Sequence, residues 1–388
     1  MNNKHKTAGI SHVVLLLGLV SLLNDVSSEI IMAILPVFIM SIGGTSIGIG
    51  AIGGLEECMK SFLSYVTGRL SDKMKRRLIF VFSGYGIASA AKLLLALSTH
   101  WIMVLALRLI DRAGKAIRSP ARDAMIAQVS TKANIGYSFG IHRAMDTSGA
   151  VVGSLLALLM FWYFNFTLKH MIFLGSIIAF VSLLPLLWIK EEKNGTNIHR
   201  KDLSLSNLPK NVWLALAPIF IYYLANFTYM FFLLKVNNNF KDKLAIGMPI
   251  FMYLIFNLSY AAFSAPAGYF SDRFGRKQLI SIGYLVFSFT CAGLAAFNST
   301  TWFVILFFTY GLAYALVEGN LRAYISELST ESTYGSMLGI LYMINGVASL
   351  FASLIAGLLW TIDPAIPFIY ASILAFTAAL LFRLLHNQ

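Results

Sequence analysis

Long apolar stretches recur along the whole chain, each close to the roughly 20 mostly apolar residues that a helix needs to cross a bilayer. Twelve such stretches are present, centred near residues 22, 57, 88, 113, 149, 179, 223, 257, 288, 314, 346 and 375. The apolar runs are continuous, whereas the strands of a membrane β-barrel alternate apolar and polar residues. The sequence therefore predicts an all-α membrane protein with twelve transmembrane helices.

The apolar stretches fall into two groups of six on either side of the polar interval at residues 190–210. Two polar loops also match each other at an offset of 200 residues: GRLSDKMKRRLI begins at Gly68 and GYFSDRFGRKQLI at Gly268. Such internal repeats indicate structurally related halves. We expect an N-terminal six-helix bundle over residues 1–190, a cytoplasmic linker over 191–210 and a C-terminal six-helix bundle over 211–388.

Composition supports membrane insertion, since 58% of the residues are hydrophobic and 12% are charged, against about 45–50% and about 25% in soluble domains. The net charge of +13 is interpreted as topology, because Lys and Arg concentrate in cytoplasmic loops. Placing both termini in the cytoplasm leaves few basic residues in the outer loops, namely Lys169, Lys235, Lys241 and Lys243. We expect a bacterial inner-membrane protein that is surrounded by lipid, has no nucleic-acid partner and is a monomer.

Several classes of protein are not indicated by the sequence. The two cysteines, Cys58 and Cys291, lie inside apolar stretches, and no His or Cys grouping has the spacing of metal ligands. No segment matches the phosphate-binding pattern G-x-x-x-x-G-K-S/T. We therefore expect no metal, no cofactor, no ATP-driven step and no enzymatic activity.

The repeated loop pattern, G-x-x-x-D-R/K-x-G-R-R/K, resembles the hallmark of the major facilitator superfamily, and the resemblance covers the whole chain. Two further segments, LNDVSSEIIMAILP in the first helix and RLIDRAGKAIRSPARDAM in the fourth, resemble a bacterial subgroup of these permeases. The resemblance implies two six-helix halves, a central cavity lined by the first, fourth, seventh and tenth helices, and transport of a small molecule by alternating access.

The resemblance also implies a gate at the two matching loops. The candidate gate residues of these loops are Gly68, Asp72, Gly268 and Asp272. The glycines are expected to allow close helix approach, and the aspartates to cap or pair at helix ends. In the first half, the aspartate is expected to pair with Arg118 or Arg122 of the fourth helix.

The fourth helix carries five cations and two acids between residues 106 and 125. At 100° per residue they share one face, which predicts a cavity wall. Arg108 and Arg112 lie near mid-membrane and are predicted to contact the substrate or relay protons; the alternative is structural pairing with acids of neighbouring helices, namely Asp25, Glu29 or Asp146. Further candidate substrate contacts are Asn24, Lys115, Arg143, Tyr222, Asn226 and Tyr314. Pro120 is expected to kink or end the helix.

Asp25 and Glu29 are one helical turn apart, and two membrane carboxylates so close cannot both ionise cheaply. We predict that they form a proton-coupling site, with Asp146 and Glu318 as further candidates. The alternative is that they neutralise Arg108 or Arg143. Two other acids, Glu56 and Glu57, are predicted to be structural, with Glu56 paired to Lys60.

These features together predict a proton-coupled transporter. The net charge of the fourth-helix face is +3, from five cations and two acids, and it favours an anionic or zwitterionic solute such as a carboxylate or a siderophore-like chelate. A multidrug antiporter for lipophilic cations, or a receptor that does not transport, remains an alternative. Gly149 and Gly153 resemble a degraded antiporter motif, although GxxxG alone usually serves helix packing.

Overall fold

The computed structural model describes residues 11–74, 77–130, 134–189, 210–328 and 334–384, and this part of the chain contains helices and no strand. The helices are α1 (His12–Ser41), α2 (Ser46–Met74), α3 (Arg77–Leu95), α4 (Trp101–Val129), α5 (Ile135–Trp162), α6 (Leu168–Val181), a 3-10 helix (Leu184–Trp188), α7 (Lys210–Ala225), α8 (Met230–Asn237), α9 (Asp242–Phe274), α10 (Arg276–Ala296), α11 (Thr300–Glu327), α12 (Tyr334–Trp360) and α13 (Ile366–Leu384). Each of the predicted span centres lies within one of these helices. The centre near residue 223 lies in α7, and α7 and α8 together cover one span.

Ten helical segments of the described chain are long and apolar enough to cross a membrane. The prediction of an all-α, multi-pass membrane protein is confirmed. Two long helices, α2 and α4, are absent from these ten because their charged residues lower their hydropathy. The exact number of spans and the cytoplasmic position of the termini stay predictions. The charged residues of the helices before residue 190 are therefore concentrated in α2 and α4.

The helices before residue 190 and those after residue 209 pack mainly among themselves. In the first group α1 packs on α5, and α4 packs on both α2 and α3. In the second group α9 and α10 pack on α11, and α10 also packs on α13. The two groups meet chiefly where α2 contacts α12 and α5 contacts α9. The expected linker lies almost wholly outside the described residues, so the domain boundaries stay predictions.

Glycines bring α2 and α12 into backbone contact. A Cβ on Gly50 would lie 2.2 Å from the carbonyl oxygen of Ser353, and a Cβ on Gly54 would lie 2.9 Å from Leu350 Cα. Further along, a Cβ on Gly346 would lie 2.8 Å from the Cβ of Ser61. We call this contact, which extends from Ser46 to Ser61 on α2 and from Gly346 to Gly357 on α12, the α2–α12 seam. It leaves no space for larger residues at these glycines.

Pro120 does not end α4, which continues to Val129; of the two expected effects, the helix end is wrong and the kink stays a prediction. A proline has no N–H to donate to the carbonyl four residues earlier, which here belongs to Ala116. The hydroxyl of Thr67 on α2 lies 2.8 Å from this carbonyl oxygen and also 2.8 Å from that of Leu63. A side chain from a neighbouring helix thus supplies a partner for the carbonyl that the proline leaves free.

Candidate functional site

Two arginines of α4 are held by acids in the interior of the first group of helices. Arg108 donates to both carboxylate oxygens of Glu56, over 2.7 Å from Nε and 3.0 Å from a terminal nitrogen, and to Asp111 over 3.0 Å. Arg112 Nε donates to Glu56 over 2.9 Å. Arg108 is 1% exposed and Glu56 is 5% exposed. We call these four residues the arginine–glutamate cluster; its two cations and two acids compensate each other.

This cluster changes the expected pairing. Glu56 was expected to pair with Lys60, but Lys60 pairs with Glu57 over 2.6 Å. The reason is that Glu56 faces α4, whereas Glu57 faces α12 and also accepts a hydrogen bond of 2.9 Å from Asn345. Among the described contacts, the expected structural pairing of the two arginines with acids of α1 and α5 is replaced by pairing with Glu56 and Asp111. Substrate binding by Arg108 and Arg112 stays a prediction.

Lys115 lies one turn beyond the cluster on α4 and differs from its neighbours. It makes no hydrogen bond or ion pair within 4 Å with the residues that the structure describes. Four acids are close enough to interact with it electrostatically, and they lie on three helices: Asp25, Glu29, Glu57 and Asp146. Lys115 is thus a partly buried cation, surrounded by acids, that no single carboxylate holds.

Asp25 of α1 lies beside an acid of α5. The two carboxyl groups are close enough to interact electrostatically, and Asp146 accepts a 2.7 Å hydrogen bond from Ser21. The two helices approach closely because glycines of α5 have no side chain at the contact. A Cβ on Gly149 would lie 3.2 Å from the Cβ of Asp25, and a Cβ on Gly153 would lie 2.8 Å from the Cβ of Glu29. The two glycines of the degraded motif therefore pack α5 against α1 and bring two carboxyl groups together.

Glu29 makes its hydrogen bonds to the second group of helices. It accepts hydrogen bonds from Tyr253, over 2.5 Å, and from Asn257, over 3.4 Å, both on α9. Among the described residues no Lys or Arg lies within ion-pair distance of it. The expectation that Asp25 and Glu29 neutralise Arg108 or Arg143 is therefore not met by any described contact.

A second polar link joins the two groups of helices at Arg143 of α5. Arg143 donates to the hydroxyl of Tyr260 over 2.8 Å, and this hydroxyl donates to Glu318 over 2.5 Å. Arg143 also lies 3.7 Å from both Glu318 and Asp146. Glu318 is further paired with Arg322 of its own helix. The guanidinium of Arg143 thus lies between acids of α5 and α11.

Three of the predicted substrate residues lie around one small cavity on α7 and α11. The cavity has a volume of about 50 Å³ and is lined by Tyr222, Tyr223, Asn226, Tyr314, Val317, Glu318 and Leu321. Tyr314 donates to the Asn226 side chain over 3.0 Å. A volume of this size holds water molecules. A larger solute requires the surrounding helices to separate further.

The gate residues are only partly described. The surroundings of Gly68 and the side chain of Asp72 are outside what the structure describes. No described atom lies within 4 Å of a Cβ on Gly268, so the expected close approach at this glycine is not seen among the described residues. Asp272 is exposed and pairs with Arg276 over 3.3 Å. The gate itself stays a prediction.

The two basic gate residues of α4 have partners near them. The guanidinium of Arg118 lies 4.1 Å from the centre of the Tyr85 ring. Arg122 pairs with Asp123 over 3.0 Å and donates to Ser21 over 2.9 Å. Arg122 is therefore connected through Ser21 to Asp146.

Some site residues were missed by the sequence analysis. Lys92 of α3 lies 3.3 Å from the side-chain oxygen of the predicted substrate residue Asn24, and Tyr253, Asn257 and Tyr260 project from α9. The signal for Lys92 was a lone lysine in an apolar stretch. Residues of α9 gave no signal, because they lie outside the four helices that the resemblance assigns to the cavity. Within the described ranges, no three His, Cys, Asp or Glu side chains converge as metal ligands do.

Similarity to known proteins covers the whole chain. The family model described as Major Facilitator Superfamily matches residues 17–234 and 215–387. An uncharacterized MFS-type transporter of Methanocaldococcus jannaschii is 42% identical, and the match covers 98% of this chain and 96% of that protein. The class H tetracycline resistance protein of Pasteurella multocida is 23% identical over 91% of this chain and 90% of its own length.

Solved transporter structures have the same fold. The nucleoside transporter NupG superposes with a TM-score of 0.74 at 16% identity, covering 97% of this chain and 99% of that one. A bacterial homologue of the human lysosomal transporter Spinster, in an inward-facing and occupied conformation, gives a TM-score of 0.76 at 13% identity, with 97% and 96% covered. The chain belongs to the Major Facilitator Superfamily, and it is a membrane-embedded secondary transporter of a small molecule.

Proposed function

We propose that the chain is a proton-coupled transporter of a small anionic or zwitterionic solute, and that Lys115 binds the negative charge of that solute. The observation that carries this proposal is the lack of a direct partner for Lys115 among the described residues. By contrast, three arginines of the same helix, Arg108, Arg112 and Arg122, each pair with a carboxylate. A solute carboxylate supplies the missing partner.

The energetics favour such a partner. A charge near the centre of a bilayer costs about 2.5–3.5 kcal/mol on insertion scales, and a direct opposite charge reduces that cost. The Lys ammonium is a compact cation with three donors, which suits a carboxylate or a phosphate oxygen. Arg143, whose side chain is 50% exposed, provides a second contact from α5. The charges of Arg108 and Arg112 are compensated by Glu56 and Asp111, so these arginines contact a solute only when the arginine–glutamate cluster opens.

We place the proton on the Asp25–Asp146 pair. Two carboxyl groups so close together favour holding one proton between them, because adjacent carboxylates repel each other. Lys115 acts on both carboxyl groups and favours their ionised forms. When a solute anion pairs with Lys115 this effect weakens, and the pair retains its proton more readily. Solute and proton then favour each other's binding, as cotransport in one direction requires.

One observation favours the alternative, a lipophilic-cation antiporter. Glu29 is a carboxylate that only the neutral donors Tyr253 and Asn257 hold among the described residues. A cationic solute finds its partner there. A tetracycline resistance protein and a multidrug resistance protein of Bacillus subtilis are also similar to this chain, the latter at 26% identity over 47% of this chain and 45% of its own length.

A binding experiment separates the two solute classes. Purified protein is screened by thermal unfolding against carboxylates, amino acids, chelates and drug-like cations, since a ligand of the folded state raises the apparent Tm. We expect an anion or zwitterion to raise the Tm of the parent and of Lys60→Gln, but not of Lys115→Gln. Lys60 is the matched control because it already pairs with Glu57. Stabilisation by cations alone, abolished in Glu29→Gln, supports the antiporter instead.

The proton site is tested by flux in proteoliposomes with the solute that the screen identifies. We expect Asp25→Asn and Asp146→Asn to lose accumulation driven by an imposed pH step while solute exchange continues. Glu29→Gln tests whether the other acid of α1 takes part. Accumulation equal to that of the parent in both aspartate variants places the proton elsewhere, and an absence of all flux in the parent indicates a receptor.

A further inference from the structure

Lys92 of α3 is a buried cation that the proposed transport mechanism does not use. It is 1% exposed, and its Nζ lies 2.7 Å from Ser28 Oγ, 3.3 Å from Ser27 Oγ, 3.3 Å from Asn24 Oδ1 and 3.5 Å from the Asn24 carbonyl oxygen. All four oxygens belong to one stretch of α1, and none is a carboxylate oxygen. Buried ammonium groups are ordinarily paired with an acid, whereas neutral oxygens hold this one.

The amide of Asn24 is oriented by this cation. Asn24 is completely buried, and its Nδ2 has no hydrogen-bond partner in the structure while its Oδ1 faces Lys92. An unpartnered buried donor costs about 1–3 kcal/mol. The orientation of the amide therefore leaves its NH₂ group without an acceptor among the described residues, while its oxygen accepts from the ammonium of Lys92.

Charged groups lie farther from Lys92 and shape the field around it. Asp111 of α4 and Asp25 of α1 attract the ammonium, whereas Arg118 and Arg108 of α4 repel it. Among the described residues no carboxylate comes within 4 Å of Lys92. The site is thus a group of carbonyl, amide and hydroxyl oxygens near two acids, and oxygen atoms of these kinds are the ligands that hard metal cations prefer.

We propose that the Asn24–Ser28 segment of α1 is a monovalent-cation site whose occupant is the ammonium of Lys92. The ammonium of Lys92 thereby takes the place that a free sodium ion would otherwise occupy, and α1 needs no bound alkali ion. This inference goes beyond the proposed function and does not depend on it. It also accounts for the Asn and both Ser residues of the NDVSSE segment.

The geometry makes one substitution informative. Lys92→Ala removes the side chain beyond Cβ and leaves the four oxygens in place, with space for a sodium ion and water. Lys92→Met removes the charge but fills the same space, and Lys92→Arg keeps a positive charge. Lys92→Met and Lys92→Arg, whose side chains still fill the site, are therefore matched controls for Lys92→Ala.

The test is the apparent Tm of each purified variant in sodium chloride and in choline chloride at equal ionic strength. We expect sodium to raise the Tm of Lys92→Ala by about 2 °C or more, with saturation, and to leave the parent, Lys92→Met and Lys92→Arg unchanged relative to choline. Adding Ser28→Ala to Lys92→Ala removes the nearest oxygen and should abolish the sodium effect.

Two results overturn the proposal. One is an equal Tm of Lys92→Ala in sodium and choline, which shows that the oxygens do not bind a cation. The other is a sodium-specific rise in the Tm of the parent, which shows that Lys92 does not occupy the site; this measurement decides the matter even if Lys92→Ala does not fold. Both readouts are stabilities, so they are independent of whether any solute is transported.

Discussion

Replacing Glu56 by glutamine tests the arginine–glutamate cluster directly. Glu56 accepts two hydrogen bonds from Arg108, over 2.7 and 3.0 Å, and one from Arg112, over 2.9 Å. Glutamine has nearly the same shape but carries no charge, and its amide NH₂ faces guanidinium donors. The cluster changes from two cations and two acids to two cations and one acid. Arg112 then loses its only described carboxylate partner.

The expected loss follows from burial. Removing one partner of a buried ion pair costs about 3–5 kcal/mol, because the remaining charge is left uncompensated. Glu57 provides the matched control on the same helix: its side chain is 29% exposed, and that of its partner Lys60 is 32% exposed. A partly solvated pair of this kind contributes about 0–1 kcal/mol. Glu56→Gln should therefore be several times more destabilising than Glu57→Gln.

Equilibrium unfolding of the purified variants in mixed micelles gives both free energies. The double variant Glu56→Gln with Arg112→Gln restores a neutral cluster, so its cost should fall below the sum of the two single costs by about 0.5–3 kcal/mol. If Glu56→Gln and Glu57→Gln cost the same, or if the two cluster substitutions are additive, uncompensated charge is not what the cluster prevents.

Two further predictions concern helix contacts. Gly50→Ala places a Cβ 2.2 Å from the Ser353 carbonyl oxygen and should lower the Tm, whereas Gly86→Ala, with nothing within 4 Å, should leave it equal or higher; equal effects would contradict the close contact. Thr67→Val should cost about 0.5–1.5 kcal/mol by removing the hydrogen bond to the Ala116 carbonyl, and Thr67→Ser should not. In a Pro120→Ala background, where the helix supplies its own donor, unfolding measurements should show a smaller cost for Thr67→Val.

The helices were predictable because each span is marked by its own run of apolar residues, which needs no knowledge of neighbours. Even α2 and α4, which are too charged to be among the ten apolar spans, contain the predicted centres at residues 57 and 113. The effect of Pro120 was less accessible, since the Thr67 hydroxyl that replaces the missing donor lies on another helix. Local sequence determines where a helix lies, but not which neighbouring helix supplies the hydrogen bonds that the helix itself lacks.

The partners of the charged residues were less predictable. Spacing within one helix suggested that Glu56 pairs with Lys60, which is wrong, and that Asp25 acts with Glu29, which stays a prediction. In the structure Glu56 meets α4, Asp25 meets Asp146 of α5, and Glu29 meets α9. Adjacent acids on one helix can face different neighbours, and the rotation of a helix about its axis decides which. That rotation is fixed by packing, here by small residues such as Gly149 and Gly153 on α5.

The α2–α12 seam has a consequence for how the halves move. Its closest contacts are between backbone atoms, as where Gly50 meets the Ser353 carbonyl oxygen, and dispersion at such contacts does not depend on pH, on ionic strength or on the charge of a solute. The hydrogen bond from Asn345 to Glu57 adds one ionisable group at the end of the seam. The links through Glu29 to Tyr253 and through Arg143 to Tyr260 do involve ionisable groups. The seam can therefore serve as a passive axis of rotation, while the free energy that a proton or solute contributes to reorientation acts through α1, α5 and α9.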